Sequence, residues 1–123
     1  MYDAATNRWA TASDMPTPRS VPSSSVFDGR IYVMGGIALH GQDSRSQEER
    51  MRNRTPLTVV EVYDPTNDRW TRDADLTTPR GWFSTSVVDG KLYVIGGRSL
   101  APDGGIVEVD GAIPALEVYT PTQ

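Results

Sequence analysis

The feature that most constrains this chain is internal repetition. Laying residues 1–36 over 62–97, at an offset of 61, gives 17 identical positions. They include Tyr2/Tyr63, Asp3/Asp64, Arg8/Arg69, Trp9/Trp70, Pro18/Pro79, Arg19/Arg80, Ser23/Ser84 and Ser25/Ser86, and they end on the phrases YVMGG and YVIGG. A partial third copy closes the chain, where LEVYTPTQ (116–123) echoes VEVYDPTN (60–67) at an offset of 56. Self-similarity at such a period means stacked supersecondary units, each too small to bury its own apolar face.

Each unit reads as β. SSSVF-DG-RIYVMGG and STSVV-DG-KLYVIGG are pairs of apolar, β-branched and aromatic runs joined by Asp-Gly. That dipeptide suits a two-residue type I′ hairpin turn, in which both central residues take positive φ. TVVEVYD and ALEVYT supply a third strand, RWA and RWT a short fourth, and the residues between them are turn formers. The unit is a four-stranded antiparallel meander, with strands A, B, C and D. The double glycines mark close backbone approach at the end of strand B. They are poor phosphate cradles, because no helix N-terminus follows them.

Composition narrows the function. With 123 residues the chain has the size of one domain. Its formal charge of −4 lacks the cationic excess that nucleic-acid binding needs. No apolar run approaches the roughly 18 residues of a membrane span. The N-terminal residues show no secretory signal, so a cytoplasmic location is the default expectation. With 0 cysteines there are no disulfides, thiolate metal sites or cysteine nucleophiles.

The pattern resembles the kelch repeat. The resemblance rests on Asp28-Gly29 through Gly35-Gly36, then Val62-Tyr63-Asp64-Pro65, Trp70 and Pro79-Arg80, with the same order in the second copy. It implies an all-β fold of kelch-type β-propeller blades, two four-stranded antiparallel blades per chain. The unit lengths exceed the roughly 50 residues of a kelch repeat because of long B–C inserts. A lone strand D at 1–12 opens the chain. Blade one follows at 19–72 with an insert at 37–57, then strands A to C of blade two at 80–119 with an insert at 98–115.

Kelch rings need about four to eight blades, so two blades leave a ring open. The expectation is a non-enzymatic scaffold that self-assembles by strand exchange, each copy donating strand D to its neighbour. A homotrimer would give a six-bladed ring. The ends, with Met1 directly before Tyr2, read as a deliberate two-blade unit, natural or engineered. The alternatives are a two-blade fragment of a longer propeller and a kelch-type enzyme acting on small acidic sugars, mutarotase-like.

Meander topology puts the Asp-Gly turns on one face, and both inserts with the D–A segments MPTPR and LTTPR on the other. In the resemblance strand A lines the central channel, which places Arg19 and Arg80 at its mouth. Arg19, Arg80, Ser23, Ser84 and Trp82 are therefore the candidate ligand-binding residues, for an acidic peptide or small anionic ligand held by bidentate contacts. The competing reading has the arginines satisfying loop carbonyls or pairing with Asp14 or Asp75. Trp82 and Phe83 stand where the first copy has Val21 and Pro22. They either line the pocket or pack.

The first insert mixes Arg45, Arg50, Arg52 and Arg54 with Asp43, Glu48 and Glu49, and Ser46 to Met51 allow one helical turn capped by Ser46. The acidic second insert carries IVEVDG, an extra strand candidate that a neighbour's basic insert could meet. His40, the single histidine, has no serine or cysteine motif to serve. No cofactor or metal is expected. The copper site of the kelch-type enzyme galactose oxidase requires a cysteine and histidines that this chain lacks.

Overall fold

A computed structural model describes residues 1–39, 54–99, 113 and 116–121. His40, the Ser46–Met51 turn, the charged residues of 43–52 and the IVEVDG segment lie outside the described residues. Among the described residues every regular element is a strand. In chain order they are β1 (Tyr2–Asp3), β2 (Arg8–Trp9), β3 (Ser23–Phe27), β4 (Arg30–Met34), β5 (Ile37–Leu39) and β6 (Arg54–Pro56). They continue with β7 (Val60–Asp64), β8 (Arg69–Asp73), β9 (Ser84–Val88), β10 (Lys91–Ile95) and β11 (Leu116–Tyr119).

Blade one is a four-stranded sheet in the order β3-β4-β7-β8, the expected A-B-C-D meander. Blade two is β9-β10-β11, strands A to C, with no strand beyond β11 among the described residues. The hairpins turn as the Asp-Gly pairs dictate. Asp28 and Gly29 have φ of 51° and 72°, and Asp89 and Gly90 have 49° and 74°. Both central residues are left-handed, as a type I′ turn requires.

Two features differ from the sequence reading. The insert 37–57 is not loop from end to end: β5 and β6 pair as a ribbon at its base, with Ile37 opposite Pro56 and Leu39 opposite Arg54. Ile37 is drawn in because it bridges to Ser20 and is buried. The N-terminus is more than a strand D. β1 repeats the end of β7 one unit earlier, so Tyr2 faces Trp9 as Tyr63 faces Trp70. The ring centroids are 5.1 Å apart in both pairs.

The core lies between the two blades. Strand alternation gives each blade two faces. Tyr32, Met34, Val60 and Val62 of blade one meet Leu92 and Val94 of blade two, with Phe27, Phe83 and Tyr119 at the margin. Tyr32 stands edge-on to Phe27 and to Tyr119, at 6.0 and 6.4 Å. Along the innermost strands the seam is polar: Thr85 Oγ1 bonds Ser23 Oγ at 3.0 Å and also meets Ser25 Oγ.

Candidate functional site

The insert face is built on two buried arginines. The Arg19 side chain has 0% exposure; its Nη1 donates to the carbonyls of Gly35 and Val59 at 2.9 and 2.8 Å, and its Nη2 pairs with Glu61. Arg80 repeats the arrangement one blade on, donating to the Gly96 carbonyl at 2.7 Å and pairing with Glu117. Burial raises the Glu117 carboxyl, but hydrogen bonds from Thr77 and the Arg80 charge outweigh it and hold it below the usual carboxylate range. The arginines satisfy loop carbonyls, and their acids are Glu61 and Glu117, not Asp14 or Asp75. Asp75 pairs instead with Arg72, at 3.0 Å. Each glutamate occupies the same place in a repeated strand C, VEVY and LEVY. A charged residue recurring inside an apolar strand was the available signal.

These anchors tie the D–A segment to the exit of strand B, so backbones approach closely. Ser20 bridges Ile37, Gly81 bridges Arg98, and Gly36 N donates to the Arg80 carbonyl at 2.8 Å. A Cβ on Gly35 would lie 2.6 Å from the Arg80 carbonyl oxygen, and one on Gly97 2.7 Å from that of Gly81. Close approach thus requires glycine at Gly35, Gly36 and Gly97, whereas Gly96 is favoured by its φ of 72° alone.

Two residues after each anchor the chain enters left-handed backbone at Val21 and Trp82, with φ of 47° and 51°. A β-branched or bulky residue rarely adopts this conformation, and it persists only where its surroundings over-determine it. Trp82 N donates to the Val21 carbonyl at 3.2 Å, linking the two loops. Trp82 is exposed, Ser84 is exposed, and Ser23 is half-buried with its hydroxyl on Thr85. Of the five candidate ligand residues, the structure therefore gives Trp82 and Ser84 open surface and sets both guanidinium groups beneath it.

The second candidate surface is the pair of outer blade faces. Val88, Tyr93, Ile95, Leu116 and Val118 of blade two occupy the positions of Phe27, Tyr32, Met34, Val60 and Val62 in blade one. Met34 and Val60 are 0% exposed against blade two, whereas Ile95 and Leu116 are 48% and 56% exposed. On the far side of blade one, Val26 and Ile31 are exposed; Leu92, the counterpart of Ile31, is buried in the core, while Val87, the counterpart of Val26, stays 39% exposed beside it. Each open face thus matches one side of the interface already buried inside the chain.

Antiparallel meanders stacked face to face, with adjacent innermost strands and loops held at one end, are β-propeller blades. The Kelch motif family model matches residues 18–77. An F-box/kelch-repeat protein of Arabidopsis thaliana is 37% identical over 98 residues, covering 80% of this chain and 23% of that protein. Kelch repeat and BTB domain-containing protein 12 of Danio rerio is 39% identical over 101 residues, 77% of this chain and 15% of the relative. The solved structure of YjhT superposes with a TM-score of 0.54 at 30% identity, over 75% of this chain and 25% of that one. The chain is a kelch-repeat chain, and it spans less than a quarter of the length of these curated relatives.

Proposed function

We propose that this chain is a protein-binding kelch module whose two outer faces take further blades of the same kind, three copies closing a six-bladed ring. One observation carries the reading: exposed Ile95, Leu116 and Val118 stand where blade one buries Met34, Val60 and Val62, and exposed Ile31 stands where blade two buries Leu92. Such a contact is heterologous and head-to-tail, the kind that closes into rings. The insert face is the ligand-binding surface. Trp82 and Ser84 are its contact residues, and Arg19 and Arg80 hold the loops that present them. An acidic peptide or small anion approaching this face meets the indole and the Ser84 hydroxyl before it meets a guanidinium.

Sedimentation velocity at micromolar concentration tests the assembly. The expected species has three times the 13.5 kDa mass of one chain. A folded monomer throughout overturns it. A second reading has the remaining blades in the same polypeptide, favoured by the 15–23% of each relative that the chain spans. A longer polypeptide carrying this segment would then be monomeric with a complete ring.

A further inference from the structure

The two ends of the described fold carry the same piece of blade. β11 stands where β7 stands in blade one, so Val118 and Tyr119 correspond to Val62 and Tyr63. β1 stands there too, because Met1 and Tyr2 also correspond to Val62 and Tyr63. In blade one Val62 faces Thr71 and Tyr63 faces Trp70. At the N-terminus, Met1 and Tyr2 supply those contacts to Ala10 and Trp9: Ala10 N donates to the Met1 carbonyl at 2.8 Å, and Met1 N donates to the Ala10 carbonyl at 2.9 Å. Tyr2 lies against Trp9 and donates its hydroxyl to Asn7, as Tyr63 does to Asp68. Among the described strands, β11 has no neighbour on the side where β7 meets β8.

We propose that the β1–β2 ribbon is a self-blocked edge, and that assembly exchanges Met1–Asp3 for Leu116–Tyr119 of a second copy on β2. The inference rests on the assembly reading above and adds its control. The Ala10 peptide group can pair with Met1 of its own chain or with Val118 of the other copy, and one excludes the other. The incoming strand has four residues where the resident strand has two. It also brings the apolar face of blade two under β2. The resident ribbon offers a small local contact, and Trp9 remains 78% exposed in it.

Tyr2 and Val118 test this, because substitutions in the two competing strands acquire opposite effects on association. Tyr2→Ala removes the aromatic pair from the resident strand alone, and the trimer should tighten about fivefold at each seam. Val118→Pro removes the N–H that corresponds to Met1 N while sitting on an edge strand, where proline is tolerated. It should abolish assembly and leave a folded, monomeric chain. Sedimentation velocity of wild type, Tyr2→Ala and Val118→Pro decides the matter, with circular dichroism confirming that each is folded. Association weakened by Tyr2→Ala, or unchanged by Val118→Pro in an assembling protein, overturns the exchange but leaves assembly standing. A wild type and a Tyr2→Ala variant that are both monomeric overturn assembly itself.

Discussion

A head-to-tail ring and a two-fold dimer make opposite demands on two single substitutions. Ile95 lies on the open face of blade two and Val26 on the open face of blade one, 48% and 67% exposed. Val88, Ile95, Leu116 and Val118 each keep about half their surface in water, so at ~1.5–3 kcal/mol for full burial they offer roughly 1 kcal/mol each, or about 4 kcal/mol from one side of a seam. Ile95→Asp forfeits about one of these and buries an unpartnered carboxylate at a cost of several kcal/mol more, as large as the whole apolar contribution from that side. Either Ile95→Asp or Val26→Asp alone should therefore sediment as a monomer. Mixed in equal amounts, they should form a 1:1 heterodimer, because each variant retains the face the other has lost. That dimer cannot grow, since both its outer faces carry the new aspartates. Analytical ultracentrifugation of the separate and mixed proteins reads the outcome. A Val26→Asp homodimer, or an Ile95→Asp protein that still assembles, would refute the head-to-tail geometry.

Arg80→Met should cost ~3–5 kcal/mol, because Glu117 loses the partner of a buried pair; the double variant Arg80→Met/Glu117→Leu should recover much of that in urea denaturation. Gly35→Ala should destabilise by more than the ~1–2 kcal/mol of left-handed strain alone, since its Cβ would lie 2.6 Å from the Arg80 carbonyl oxygen and 2.9 Å from Phe83. Val21→Gly should instead raise the melting temperature by several degrees, by removing ~1 kcal/mol of strain at φ 47°. The Asp68 carboxyl is lowered by hydrogen bonds from the Ser13 backbone, the Tyr63 hydroxyl and the Ser13 hydroxyl. Its folded value lies below its unfolded one, so its contribution is present above the unfolded carboxylate range and lost as pH falls through the folded value. Asp68→Asn should flatten that part of the acid-stability profile.

The legible parts of this fold were those written as local turn chemistry or repeated in register. Asp28-Gly29 and Asp89-Gly90 announce hairpins because few other dipeptides accept two left-handed residues, and the doubled Tyr and Trp fix the meander that follows. What stayed hidden was which polar groups meet across distance. Arg19 and Glu61 are 42 residues apart, and Ser13 and Asp68 are 55 apart. The Pro-Arg pair allowed a guanidinium capped by loop carbonyls, but its local sequence does not say which carbonyls, nor that the acids are Glu61 and Glu117 rather than Asp14 or Asp75. The β5–β6 ribbon was hidden for a similar reason. Its pairing is imposed by the Ser20–Ile37 bridge, and Arg54-Thr55-Pro56 carries little strand propensity of its own.

The buried arginines also explain how one loop design serves two purposes. A segment that threads between two double glycines, with no side chain to wedge it, would be free to shift. Arg19 and Arg80 fix it from beneath through carbonyls on strand-B exits and a carboxylate on strand C, so the same guanidinium joins three strands' ends in one blade. That over-determination lets the next residues but one, Val21 and Trp82, hold left-handed backbone that neither would choose alone. The repeat copies the anchor faithfully and varies what stands above it, valine in one blade and tryptophan in the next. If the insert face binds as proposed, selectivity should follow Trp82, whereas substitution of either arginine should disturb the loops first, as a lowered urea midpoint would show.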